Sequence, residues 1–185
     1  MPQDLEKTES NITVKGIFII PTIDEIKKRA SEKEIAMLSK LIPNLKVSPF
    51  VSYPVLYQNE SEKILCRILY GNYNYDAYLK FGRRSFNSFA NSNIGKVMMS
   101  LFGNSPQKII MNTQRLFDTV TKGIKIETKK ISENKYSTRY YNDPYPLGGT
   151  EGVLYGGLEM LKLKNIDIKF IDHGNQDHEF IMSWQ

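Results

Sequence analysis

The chain has 185 residues, 41% of them hydrophobic, with eleven Tyr and nine Phe spread along it, and a formal charge of +5. This composition excludes a disordered chain, and a polypeptide of this size buries roughly two-thirds of its unfolded surface without disulfides or metals. A single cysteine (Cys66), no apolar run near the ~20 residues of a membrane span, and an N-terminus without a basic start or apolar stretch lead us to expect a cytoplasmic protein.

In chain order, residues 1–11 are polar and read as a flexible tail, and residues 12–185 as a single α+β domain. TVKGIFIIP predicts a first strand ended by Pro21, and PTIDEIKKRA a helix capped by Thr22 with Asp24 and Glu25 in its first turn. EKEIAMLSKLIP predicts a short helix stopped before Pro43, and SPFVSYPVLYQ, with its two prolines, an irregular connector. NESEKILCRILYG then sets Ile64, Leu65, Ile68 and Leu69 on one helical side, with Gly71 as the stop signal. Tyr75, Leu79, Gly82, Phe86 and Phe89 recur in steps of four and three, marking one face of the next helix, and IGKVMMSLFG makes a shorter one. In SPQKIIMNTQRLFDTVTKG, Ser105 and Pro106 are a helix start and Gly123 an end, so one long helix is expected.

After Gly123 the apolar period changes from helical to two. IKIETKKIS and KYSTRYY predict a hairpin, GGTEGVLYGGLEMLK a helix, and NIDIKFIDHGNQDHEFIMSW a second hairpin turning at Gly174 and Asn175. Residues 12–123 are thus mainly helical and 124–185 form a β-β-α-β-β unit. The expected fold is a helical N-terminal two-thirds packed on an antiparallel sheet.

Few residues point to chemistry. His173 and His178 flank a turn beside Asp172, Asp177 and Glu179, donors that suit zinc or nickel but lack a fixed ligand spacing, so a solvated turn is the expectation. Cys66 lies among apolar neighbours, no serine occupies a nucleophile elbow, and no paired carboxylates stand out, so an enzyme is not expected. The glycines of YYNDPYPLGGTEGVLYGGLEMLKL match neither phosphate-loop nor dinucleotide spacing. Gly148, Gly152 and Gly156 recur every four residues and predict a bare helix face for close approach to a sheet, with its N-terminal turn a candidate anion site. Between residues 80 and 139, twelve Lys and Arg face three acids, so the middle of the chain is its basic part.

The stretch from Tyr136 to Trp184 is similar to the C-terminal part of haem nitric-oxide/oxygen-binding domains, which join a helical part to a sheet-helix-sheet part and carry a Tyr-x-Ser-x-Arg motif. The matching residues are Tyr136, Ser137, Thr138 and Arg139, one residue short. Those domains need a proximal histidine on a helix before this hairpin. None precedes His173, so neither haem nor any other cofactor is expected. Over about residues 12–184 the chain more closely resembles an uncharacterised bacterial family known first from myxobacteria, through VKGIFI, Tyr53-Pro54, LKFGRRSFNSF, the YYNDPYPLGGTEGVLYGGLEML run and the final hairpin ending in Trp184. That family is similar in turn to vinyl-reductase-type and transport-particle ligand domains, some of which hold an apolar molecule or an acyl chain on a cysteine, which would give Cys66 a second role.

The expected function is a non-enzymatic sensory or interaction module. It would bind a small apolar ligand in a pocket between helices and sheet, lined by Phe86, Met98, Phe102 and Phe117 with Cys66, or a protein partner through its surface, and homo-oligomerisation is left open. The same side chains also read as plain core. The alternative is binding of nucleic acid or an anionic surface through Arg83, Arg84, Lys129, Lys130 and Arg139.

Overall fold

A computed structural model describes residues 11–102 and 105–185, except the side chains of 93, 94, 98, 101 and 102. The expected N-terminal tail therefore lies almost wholly outside the described residues. The fold mixes helices with two antiparallel sheets, the α+β class expected. It divides into two compact units, one formed by residues up to Ala77 with Val120–Gly123, the other by Tyr78–Thr119 with Ile124–Gln185.

In the first unit, β1 (Thr13–Lys15) runs antiparallel between β2 (Ser52–Pro54) and β3 (Thr121–Lys122). The strand expected to continue to Pro21 stops at Lys15, and α1 (Gly16–Arg29) takes Pro21 into its interior. Two facts explain the correction. The buried residues Ile19, Ile23 and Ile26 follow helical spacing, and the first helical amides, Gly16 and Ile17, donate to the carbonyls of Val51 and Pro49, both at 2.9 Å. Only glycine fits at position 16, since a Cβ there would lie 2.5 Å from the Val47 side chain. Thr22, expected as a cap, is instead buried mid-helix.

α2 (Glu32–Leu41) starts with a capping box in which the Ser31 hydroxyl accepts from the Glu34 amide and the Glu34 carboxylate accepts from the Ser31 amide. A turn of 3-10 helix follows at Pro43–Leu45. α3 (Val55–Tyr70) begins directly after β2 and ends at Gly71 with φ 76°, the left-handed stop that its glycine signalled.

α4 (Tyr75–Asn91) spans the division between the units. α5 (Asn93–Phe102) follows, and then the single long helix expected is two short ones, α6 (Pro106–Met111) and α7 (Thr113–Asp118). The break sits where Asn112 and Thr113 turn their side chains back onto the carbonyls of Lys108 and Ile110, at 2.7 and 2.6 Å, competing with the helical ladder. The expected tail of that helix belongs to the first sheet, where Lys15 donates to the Val120 carbonyl at 2.8 Å.

The second sheet has the order β4 (Lys125–Ser132), β5 (Lys135–Tyr141), β7 (His178–Ser183), β6 (Asp167–Asp172), both hairpins falling where the alternation placed them. α8 (Leu147–Met160) connects β5 to β6. A helix side chain caps an amide on one outer strand, Gln114 of α7 accepting from Ile126. Capped edges resist pairing with other chains.

Candidate functional site

The second unit is organised about β5, whose alternation assigns opposite duties to neighbouring residues. Tyr136, Thr138 and Tyr140 share the inner face, and all three are at most 1% exposed. In register beside them lie Met182, Phe180 and His178 of β7. The Tyr136 ring stacks on Trp184 with centroids 5.5 Å apart and planes 4° from parallel. Tyr140 meets Phe180 edge-on at 5.7 Å and, on its other side, Phe117 of α7 at 5.7 Å. Thr138 shares its hydroxyl with Thr128 of β4 at 3.1 Å.

The Tyr136 and Tyr140 hydroxyls, in contrast, are buried and have no hydrogen-bond partner among the described residues. Burial pushes the Tyr140 phenol's pKa up, with the nearby Asp143 carboxylate adding to it, so the group stays a neutral donor. Leaving a buried hydroxyl unsatisfied costs about 1–3 kcal/mol.

The outer face of β5 carries Ser137, Arg139 and Tyr141, each with a side-chain contact, although Arg139 Nε has no hydrogen-bond partner among the described residues. Ser137 donates to Glu179 at 2.5 Å, and the other oxygen of Glu179 meets His173 Nε2 at 2.7 Å. These contacts, Ser137 first, hold the Glu179 carboxyl below its ordinary range. Arg139 pairs with Asp177 at 3.3 Å and lies over the Tyr141 ring at 4.7 Å, while Tyr141 donates to Glu127 at 2.8 Å.

The glycine-faced helix is α8, and it meets α4 rather than the sheet expected. A Cβ on Gly82 or Gly152 would lie 3.1 Å from the other's Cα and closer still to the backbone carbonyl of Gly149 or Leu79 respectively, so the two backbones touch. Gly156 holds Phe86 the same way, since its Cβ would come within 3.0 Å of the Phe86 Cβ. Gly149 has nothing within 4 Å and does not require glycine for space. The candidate anion site at the start of α8 already has an acid from the chain: Asp143, 2% exposed, accepts from the Tyr145 amide at 3.1 Å and the Thr150 hydroxyl at 2.9 Å.

Of the candidate ligand-binding residues, Phe117 reaches the Tyr140 hydroxyphenyl ring and Phe86 the glycines of α8, both half-buried. The side chains of Met98 and Phe102 lie outside the described residues. Cys66 belongs to the first unit, fully buried on α3, its thiol directed to the Ala77 carbonyl at 3.9 Å. Burial, with Glu62 one turn earlier, pushes the thiol pKa up to about 12, a poor nucleophile. Glu62 is itself raised to about 7 by burial, partly offset by the Gln58 amide at 2.7 Å. Sequence patterns did not single out Glu62, because an acid at that spacing reads as a solvated helix face.

The five basic candidates do not form one surface. Arg83 pairs with Glu159 and lies 5.4 Å over the Tyr155 ring, Arg139 pairs with Asp177, and Lys129 and Lys130 are neighbours on a strand and so point to opposite faces. Arg84 is exposed and has an interaction of its own. Among the described residues, no three His, Cys, Asp or Glu side chains converge as a metal set, and no helix is long and apolar enough to cross a membrane.

Solved structures similar to this chain include H-NOX proteins. The H-NOX protein from S. oneidensis in its Fe(II)NO ligation state is 16% identical, with a TM-score of 0.70 over 92% of this chain and 99% of that one. A mutant of T. tengcongensis H-NOX gives 13% and 0.65 over 92% and 97%, and the unliganded Fe(II) H-NOX from K. algicida 11% and 0.61 over 92% and 96%. At these identities the likeness establishes the fold. No curated protein matches the chain in sequence.

The residues present do not fit a haem held through a proximal histidine. No histidine precedes His173, and the two histidines sit on the second hairpin, facing Glu179 and Asp143. The shortened motif fails for a second reason: residues at alternate positions share a strand face, whereas here Tyr136 faces inward and Ser137 and Arg139 outward. The family described as "Protein of unknown function (DUF2378)" matches residues 8–185, and the chain belongs to it.

Proposed function

We propose that this protein is a non-enzymatic, cytoplasmic sensory module of H-NOX-like fold that binds a small, largely apolar organic ligand other than haem, with no other cofactor. The pocket would lie within the second unit, between its helices and the inner face of the β4–β7 sheet. Phe117 would provide an apolar wall, with Phe86, Met98 and Phe102 as further lining candidates. A protein partner would read the ligand state through the surface.

The observation that carries the reading is the pair of buried, unpartnered hydroxyls on Tyr136 and Tyr140, on a face that also carries Phe180, Met182 and Trp184. A mostly apolar site with a few convergent polar groups is the usual form of a small-molecule pocket, the polar groups setting orientation. The ligand therefore carries at least one hydrogen-bond acceptor. Neither the basic residues nor Cys66 enters this reading, since the first are dispersed and the second is an inert thiol of the other unit.

The test is a haemin titration of the full chain followed by absorption. The reading expects no saturable one-to-one complex with a histidine-ligated spectrum. Such a complex would overturn the exclusion of haem.

A further inference from the structure

We infer that the junction between the β5–α8 loop and the tip of the β6–β7 hairpin is a pH-responsive latch on the N-terminus of α8, closed when His178 carries a proton. Two carboxylates knit the junction. Asp143 binds the Tyr145 amide and the Thr150 hydroxyl in the first turn of α8, and its own amide donates to the Gln176 carbonyl at 2.8 Å. Asp177 accepts from the Asn142 amide at 3.1 Å and from Arg139 at 3.3 Å. The hairpin tip closes on itself through the His173 amide and the Asp177 carbonyl at 3.0 Å.

Among the described residues, His178 is the titratable side chain that joins these parts in the physiological range. Its ring packs against Phe170 with centroids 5.5 Å apart, and its Nδ1 lies 3.6 Å from Asp143 Oδ2 with no hydrogen-bond partner among the described residues. The groups facing it are all acidic or neutral: Asp143 from the loop, Asp172 opposite on β6, Asp177 from the turn and Tyr140 opposite on β5, with Arg139 already bound to Asp177. A neutral imidazole leaves Asp143, a buried carboxylate, without a countercharge on this side. A protonated one supplies it.

The Asp143 contact, ahead of the opposing burial, raises the His178 pKa above its ordinary 6.5. A group raised in the folded state contributes stability that is complete below the unfolded value and is lost as pH rises through the folded one. The latch therefore holds in mildly acidic solution and loosens above the raised histidine range.

The experiment is hydrogen exchange of the full chain, read by mass spectrometry at about pH 5.5 and about pH 8, either side of the histidine range, with intrinsic rates corrected. Amides of the segment 142–155 are expected to exchange roughly three- to tenfold more slowly at the lower pH, the factor a half-buried ion pair supplies. His178→Gln removes the difference and His173→Gln keeps it. Equal protection at both pH values in the natural chain, or a difference that survives His178→Gln, overturns the latch. As a check independent of that variant's folding, the Asn142 and Asp143 amide resonances of the natural chain should titrate together with the His178 ring, and movement of the ring alone would also overturn it.

Discussion

The two faces of β5 use similar residues to opposite ends. On the outer face Arg139 and Tyr141 are partly reached by water and Ser137 is buried, and Ser137, Arg139 and Tyr141 each make a named contact, with Glu179, Asp177 and Glu127, although Arg139 Nε has no hydrogen-bond partner among the described residues. On the inner face Tyr136 and Tyr140 are sealed from water, and their hydroxyls have none among the described residues. Pairing is least needed where water can substitute for it and most needed where it cannot. Two buried hydroxyls without a partner cost the strand stability, and the proposed ligand would supply the missing contact.

Substitutions can break this contrast, beginning with the inner face. Tyr140→Ala removes a ring wedged between Phe117 and Phe180 and should cost about 3–5 kcal/mol in a urea unfolding curve, the range for large buried aromatics. Next comes the α4–α8 contact of the same unit. Gly152→Ala forces a methyl into the backbone of Leu79 and Gly82 and should cost about 1–3 kcal/mol, whereas Gly149→Ala, where the space is open, should stabilise by up to ~1 kcal/mol through helix propensity. A loss at both positions would mean that the glycines serve the chain's flexibility rather than this contact.

On the outer face the effects are smaller. Glu179→Gln weakens the link to His173 while keeping an acceptor for Ser137, and should cost about 1 kcal/mol near neutral pH. Because the Glu179 pKa is depressed in the folded state, this stabilisation is present above the ordinary carboxylate value of 4.5 and lost as pH falls through the lowered one. The mutant and natural unfolding curves should therefore converge in acid. Smallest of all is Tyr140→Phe. With no hydrogen bond to lose in the unliganded chain, it should leave stability unchanged or raise it by up to ~1 kcal/mol, while weakening retention of a ligand that uses the hydroxyl. A clear destabilisation of the unliganded protein would show that the hydroxyl has a protein partner after all.

Much of the second unit was legible in the sequence because its signals are local. The period-two alternation of Ile126 to Tyr140, and Gly174 and Asn175, both at positive φ, specify their hairpins without help from distant residues. Gly71 ends its helix by the same kind of local chemistry. What misled lay where distant segments decide. The helix start at Gly16 depends on carbonyls more than thirty residues away, and its β-branched isoleucines read equally well as strand. Val120 leaves its helix because β1 pairs with the residues after it. For the site, Phe117 stood out as an apolar helical residue, whereas Tyr136 and Tyr140 were read only as part of a strand and not as site residues. Whether a buried hydroxyl finds a partner depends on what tertiary packing brings beside it, and no spacing in the sequence reports that.

The most direct measurement is native mass spectrometry of the freshly purified full chain, followed by denaturation and identification of whatever small molecule is released. The account predicts a non-covalent, largely apolar organic adduct bearing a hydrogen-bond acceptor, with its occupancy reduced in the Tyr136→Phe/Tyr140→Phe variant. Release of haem, or a chain whose mass carries no adduct under any expression condition, would contradict it.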